Sequence, residues 1–273
     1  MISVEGLHKG FNGLHVLRGA TFRVEKGELL ALIGASGEGK SVLLKHIPGL
    51  MRPDQGRVRV GGQEVGQLWG RELERLRSRL GFLFQNGALF DSMTVYDNVA
   101  FPLREKLRLG ETECRQRVAH ALEQVGLADA GDKLPAELSG GMARRAALAR
   151  ALVAEPEIML FDEPTTALDP MIKMSILKLI AECHRRFGFT GILVSHDVPE
   201  VFGIVQRVAF LHEGVIRLVG TPEEVLASPD PVVREFMQLE AHGPGSRLGA
   251  WCGATQIGPQ PGSRGIGHEK AGP

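Results

Sequence analysis

Apolar residues along this chain fall into two kinds of run. Unbroken ones stand at residues 29–33, 80–84, 158–161 and 191–194. A strand that is apolar at every position belongs in a sheet covered on both faces, so these read as central strands. Alternating runs at 2–4, 21–24 and 57–60 read as half-buried strands. Residues 208–211 and 215–218 flank Glu213-Gly214 and read as a hairpin. Helical spacing fills the intervals. A helix over 40–46 stops before Pro48-Gly49, and another runs over 171–187. Residues 111–125 are charge-rich and amphipathic, and 142–153 are rich in the good helix formers Ala, Leu and Arg. Strands alternating with helices predict an α/β fold with a mostly parallel sheet. The helical middle, about residues 87–154, reads as a subdomain inserted into it.

Composition narrows the picture. The 273 residues are 43% hydrophobic and 23% charged, as in ordinary globular proteins. Lys+Arg and Asp+Glu are both 32, a balance that argues against a nucleic-acid partner. No apolar run has the length of a membrane span, and the N-terminus lacks the apolar core of a signal peptide. Three scattered cysteines, Cys114, Cys183 and Cys252, suggest neither a disulfide framework nor a zinc site, and a reducing cytoplasm is the natural reading. Glycine is abundant, 35 in all, and nine of these lie with four prolines in 243–273. Residues 241–273 read as a disordered tail around an isolated Trp251. Just before it, Val232, Val233, Phe236, Met237 and Leu239 fall at near-helical spacing.

The candidate chemistry begins after the first buried strand. Gly34-Ala35-Ser36-Gly37-Glu38-Gly39-Lys40-Ser41 fits GxxxxGK[ST]. Glycines let consecutive N–H groups turn inward onto phosphate oxygens, and the following helix offers its N-terminus to the same anion. Lys40 is placed between the β- and γ-phosphates of a bound nucleotide and Ser41 for Mg²⁺. Glu38 is expected to point outward, since an inward carboxylate would repel a triphosphate. The strand at 158–161 ends in Asp162-Glu163. Neighbouring strand residues point to opposite sides, so the two acids take different jobs, Asp162 holding Mg²⁺ and Glu163 acting on the attacking water as general base. The strand at 191–194 delivers His196 to the same sheet edge, where it serves the γ-phosphate or the structure. Gln85, after the strand at 80–84, can reach Mg²⁺ or the water.

These residues together resemble the ATP-binding cassette (ABC) family of transport ATPases. Leu138-Ser139-Gly140-Gly141-Met142, opening the helix at 142–153, is similar to the family signature. The order Phe11, phosphate loop, Gln85, signature, Asp162-Glu163, Ala167-Leu168-Asp169, His196 is the family's order. The resemblance covers about residues 1–240 and implies one ABC ATP-binding domain. That is a P-loop NTPase fold with a RecA-like core, an N-terminal antiparallel β subdomain and an inserted α-helical subdomain. It also implies ATP hydrolysis by a head-to-tail dimer. Ser139, Gly140 and Gly141 would take the γ-phosphate of the partner's ATP, and Asp169 would meet the partner near its phosphate loop. Phe11 would stack on adenine, or else belong to the core.

Within the family, residues 83–90, 97–105, 138–151, 195–201 and 229–236 resemble the Mla-type phospholipid-transport ATPases, with Met142-Ala143 as a subgroup trait. This implies a peripheral protein on the cytoplasmic face of the inner membrane, driving phospholipid movement between inner and outer membranes. Its implied partners are a second copy, a permease subunit, a membrane-anchored lipid-binding subunit and a small cytoplasmic regulatory protein. The ATPase of a small-solute importer is the alternative. Phe90, Met93, Val95, Tyr96, Val99 and Phe101 cluster after Gln85. They either pack the helical insert onto the core or line an apolar groove for a permease helix.

Overall fold

The computed structural model describes residues 1–242. The expectations for the tail, Trp251 and Cys252 included, lie outside them. The chain starts with a long antiparallel pair, β1 (Ile2–Phe11) and β2 (Leu14–Val24), then β3 (Leu29–Ile33) and helix α1 (Lys40–His46). Two short strands follow, β4 (Gln55–Val60) and β5 (Gln63–Glu64), then α2 (Gly70–Ser78) and β6 (Leu80–Leu83). The middle is helical: α3 (Val95–Glu105), α4 (Glu111–Gln124) and α5 (Gly140–Leu152). Alternation resumes with β7 (Ile158–Asp162), α6 (Pro170–Phe187), β8 (Thr190–Val194) and α7 (Val198–Phe202). The hairpin β9 (Arg207–His212) and β10 (Val215–Gly220) precedes α8 (Pro222–Leu226) and α9 (Pro231–His242).

Two sheets result. One is antiparallel, in the order β2-β1-β4-β5. The other has the order β10-β9-β3-β8-β7-β6 and is parallel except for its edge strand β10. The fully apolar strands lie inside the second sheet, and their alternate residues divide between two cores. Leu29, Ala31 and Ile33 join Met159, Phe161 and Leu193 under α5, α6 and α9. Leu30 and Leu32 join Leu160, Ile192 and Val194 against α1 and the antiparallel sheet. This is why β3 shows no alternation in sequence: both of its faces are covered.

A third core belongs to the helical middle, where Val95, Val99, Leu103, Val118 and Leu122 pack together. Helix α5 serves two cores at once. Ala146 and Ala149 face α3 and α4, while Ala147, Leu148 and Leu152 face the sheet. The helix that carries the signature is thereby fixed to both parts. Asp169 caps α6 at its start, and Gly188 closes it in a left-handed conformation. Among the described residues, no helix is long and apolar enough to cross a membrane.

Candidate functional site

The phosphate loop leaves the C-terminal end of β3, in the middle of the parallel sheet. Two of its glycines are required by close approach, and Gly37 by its left-handed φ of +87° in open space. Gly34 has φ +153°, and a Cβ there would stand 2.3 Å from the Leu211 carbonyl oxygen. Gly39, at the N-cap of α1 with φ +94°, leaves no room for a Cβ, which would lie 2.6 Å from Val16 Cγ1. Lys40 is only 4% exposed, and its Nζ donates to the carbonyls of Gly34 and Ala35 at 2.8 Å each. Ala35, Ser36 and Gly37 are exposed on the loop's rim. Glu38 turns away from the loop's concave side, accepting from the Glu213 N–H at 2.5 Å and lying 3.4 Å from His212 Nδ1.

The adjacent strand ends bring the acids to the same edge. Asp162 closes β7, and Ser41 Oγ donates to its Oδ1 at 2.6 Å. Burial pushes the Asp162 carboxyl up, against the downward pull of the Ser41 hydrogen bond and two nearby lysines, Lys45 and Lys40. Glu163 is no longer strand. Its φ of +48° is left-handed, and its N–H reaches across to the Val194 carbonyl at 3.1 Å. The two acids therefore diverge because the backbone turns at Glu163, which is a correction to the expected strand alternation.

Three side chains converge on Glu163. Thr166 Oγ1 donates to its Oε2 at 2.8 Å, Gln85 Nε2 donates at 3.2 Å, and His196 Nδ1 stands 3.6 Å away. The His196 ring beside it, with the Thr166 hydrogen bond, holds the Glu163 carboxyl below the usual carboxylate range, against burial. In return the Glu163 carboxylate raises His196, against burial. At 3.6 Å the two groups are beyond hydrogen-bond reach, an ion pair only when His196 is protonated, and His196 Nδ1 is buried with no hydrogen-bond partner. The next residue anchors the histidine loop: Asp197 accepts from Thr165 Oγ1 at 2.7 Å and from Lys173 Nζ at 2.5 Å.

The signature stands on a different set of contacts. Ser139 caps α5, its Oγ accepting from the Met142 N–H at 3.3 Å. Gly140 and Gly141 form the first turn, and a Cβ on Gly141 would lie 2.9 Å from Ile172 Cγ2 of α6. Asp169 Oδ1 accepts from the N–H groups of Met171 and Ile172, each at 3.1 Å. The structure thus brings Lys40, Ser41, Gln85, Asp162, Glu163 and His196 to one edge, while Ser139–Gly141 and Asp169 sit where α5 meets α6. Phe11 is 41% exposed beside a tight Asn12-Gly13 turn, with Lys9 Nζ 5.5 Å from its ring centroid.

The cluster after Gln85 divides. Val95 and Val99 are fully buried in the helical core. Tyr96 packs on that core and donates to Glu111 Oε1 at 2.7 Å. Phe90 and Phe101, ring centroids 4.9 Å apart, face outward into a groove of about 450 Å³ shared with Leu50, Phe82 and Phe84. Asn98, missed in the sequence reading, is fully buried and shapes the preceding loop by donating to the carbonyls of Phe90, Met93 and Thr94. Arg144 and Thr166 were also missed. A polar residue spaced among apolar ones on a helix, as Asn98 and Arg144 are, was the available signal.

Comparison with known proteins agrees with this geometry. Residues 17–166 match the family described as ABC transporter. The chain is 46% identical over 222 residues to the intermembrane phospholipid transport system ATP-binding protein MlaF of Haemophilus influenzae, covering 81% of this chain and 84% of that one. It is 43% identical to the MlaF of Escherichia coli K12 (81% and 82%). The probable ribonucleotide transport ATP-binding protein mkl of Mycobacterium leprae is 40% identical (89% and 70%). Among solved structures, cbiO1 from Clostridium perfringens, part of an ABC transporter complex, aligns with TM-score 0.76 and 32% identity, covering 88% and 98%. The dimeric post-hydrolysis state of the cassette MJ0796, bound to ADP and Pi, aligns with TM-score 0.74 and 30% identity (81% and 99%).

Proposed function

This chain belongs to the ABC transporter family as one of its ATP-binding, ATP-hydrolysing subunits, and from that premise we propose that it powers intermembrane phospholipid transport. The observation that carries the ATPase reading is the meeting of the phosphate loop, Asp162, Glu163, Gln85 and His196 at one sheet edge. The phospholipid reading rests on the two MlaF relatives, more similar to the chain than the mycobacterial one named for ribonucleotide transport.

Each residue then has a task. The loop's N–H groups and the start of α1 receive the phosphates, and Lys40 exchanges the Gly34 and Ala35 carbonyls for phosphate oxygens. Phe11 gives the adenine an exposed aromatic face. Ser41, Asp162 and Gln85 are hard oxygen donors suited to Mg²⁺, and a buried carboxyl raised by its own burial is one that a divalent cation would relieve. Bound there, such an ion would supply charge neutralisation for the phosphates. Glu163, ionised and held by Thr166, orients and deprotonates the attacking water, and Gln85 and His196 border the same space. His196, whose buried Nδ1 makes no hydrogen bond, has hydrogen-bonding capacity to offer when a γ-phosphate arrives.

A head-to-tail dimer completes the site. The capped start of α5 is an anion site displaying Ser139, Gly140 and Gly141, suited to the γ-phosphate held by a second copy, with Asp169 beside it. The groove of Phe90 and Phe101 is where a helix of the permease would seat, next to the loop that carries Gln85. The protein would lie peripherally on the cytoplasmic face of the inner membrane, with a membrane-anchored lipid-binding subunit and a small regulatory protein as further partners. Purification of the tagged full chain from detergent-solubilised native membranes tests this. A permease with enriched phospholipid is expected; a small-solute permease with no enriched lipid would overturn the substrate and leave the ATPase standing.

A further inference from the structure

Arg144 lies on α5, one turn beyond the signature glycines, and is 7% exposed. A buried guanidinium is costly unless its donors are satisfied. Here they are satisfied by main-chain carbonyls from two separate segments. Nη1 donates to the Phe84 carbonyl at 3.1 Å and also to the Gln85 carbonyl, while Nη2 lies 3.4 Å from the Thr166 carbonyl.

The two segments have one thing in common. Gln85 and Thr166 are the residues whose side chains donate to Glu163 Oε2. Arg144 touches neither Glu163 nor the phosphate loop, yet it holds the backbone of both residues that orient that carboxylate. We propose that Arg144 is a positioning residue for hydrolysis, setting the place of Glu163 through the backbones of Gln85 and Thr166. Because Arg144 rides on the helix whose first turn carries Ser139, it also ties the signature to the Glu163 of its own chain. A shift of α5 when the signature engages a phosphate is then felt at Gln85 and Thr166 together. This rests on the reading of Glu163 as general base.

Arg145 supplies an internal control. It is the next residue on the same helix and also reaches other elements, donating to the Val125 carbonyl at 3.3 Å and to Ser175 Oγ at 2.7 Å. Neither partner touches Glu163. A role in fastening α5 alone would make the two arginines equivalent. A role in positioning Glu163 makes them different.

The experiment measures steady-state ATP hydrolysis and melting temperature for the full chain carrying Arg144→Met, Arg144→Lys, Arg145→Met or Glu163→Gln. Misplacing a catalytic group by an ångström costs up to about a hundredfold, so Arg144→Met should lose about tenfold or more in kcat while KM for ATP stays within about threefold. Arg144→Lys keeps the charge and can still reach a carbonyl, and should recover part of the loss. Arg145→Met should keep kcat within about threefold of the parent. Parent-like turnover by Arg144→Met, or an equal loss in Arg145→Met, overturns the proposal. Should Arg144→Met melt too low to assay, Arg144→Lys decides: reduced kcat at the parent's melting temperature supports the positioning role, and undiminished kcat overturns it. Glu163→Gln separates the two claims, since parent-like turnover there removes the base assignment whatever Arg144 does.

Discussion

Glu38 Oε2 accepts a hydrogen bond from the backbone N–H of Glu213 at 2.5 Å, so the acid inside the phosphate loop is tied to the turn of the β9–β10 hairpin. The tie has two consequences. It takes a negative charge off the loop's concave side, and it braces the loop against a hairpin that also meets β2, where the Arg18 N–H reaches the Gly214 carbonyl at 2.8 Å. A hydrogen bond to a charged group contributes about 1.5–3 kcal/mol. Glu38→Ala should therefore speed amide exchange at Glu213 by about tenfold or more, while Glu38→Gln, which keeps an acceptor, should change it less. Hydrogen exchange followed by mass spectrometry over the hairpin checks this. Unchanged exchange in Glu38→Ala would mean the contact braces nothing.

The parts of the fold most legible in the sequence were those where one period rules. Strands β3, β7 and β8, helix α1 and the Glu213-Gly214 hairpin were visible because unbroken apolar runs or turn residues mark them. Strands β1 and β2 were seen only at their outer ends, 2–4 and 21–24. Further along, register shifts between Val4 and Leu7, between Leu7 and His8, and between Lys9 and Gly10 break the two-residue alternation. The Asn12-Gly13 pair that joins them was the missed signal. Helix α2 was missed for another reason. It lies on the surface and is amphipathic, but its apolar side consists of Leu73 and Leu76 alone, too few positions to establish a period among so many charged residues. At the site, the phosphate loop and the strand-end acids stood out as local motifs. The left-handed turn at Glu163 did not, because it is set by the reach of its N–H to Val194 on β8. Arg144 could be marked in sequence as a polar residue among the apolar positions of a helix, but its partners could not, because they are main-chain carbonyls.

Glu163→Gln isolates the base. Glutamine fills the same space and can still accept from Thr166 Oγ1, so the loop should keep its shape. It cannot take a proton from water. General-base catalysis is worth about 10²–10⁴ in rate, and hydrolysis should fall by that order while ATP binding persists. Equilibrium binding beside single-turnover hydrolysis would separate the two. Turnover within about threefold of the parent would remove Glu163 from the role.

Cys183 lies on the buried face of α6, and burial pushes its thiol up to about 11. The thiolate is the reactive form, so at pH 8.5 less than about 1% of Cys183 carries the needed charge, behind a packed core. Cys114 is fully buried in the helical core. In a Cys252→Ser variant, a thiol reagent at that pH should react with the folded protein only at the rate of its opening. Denaturant should release two fast thiols. Prompt labelling of the native variant would contradict the burial of α6.

Tyr96 and Phe101 were grouped by sequence, and the structure gives them separate duties. The Tyr96 hydroxyl donates to Glu111 Oε1, and Arg104 bonds both Asp97 and Glu111, so this corner holds α3 to the start of α4. Tyr96→Phe removes one partly exposed hydrogen bond and should lower stability by about 1 kcal/mol or less, with turnover and transport intact. Phe101 instead faces the outer groove beside Phe90, away from Glu163 and the phosphate loop. Phe101→Ser should leave nucleotide binding and the hydrolysis of the isolated chain within about twofold of the parent. In the assembled transporter it should weaken the seat of the permease helix, because a buried aromatic anchor contributes about 2 kcal/mol or more to such an interface. Transport in reconstituted membranes should then fall by about tenfold or more while ATP is still consumed. The reverse pattern, with Tyr96→Phe losing transport and Phe101→Ser sparing it, would place the permease on the α3–α4 corner and leave the groove without that role.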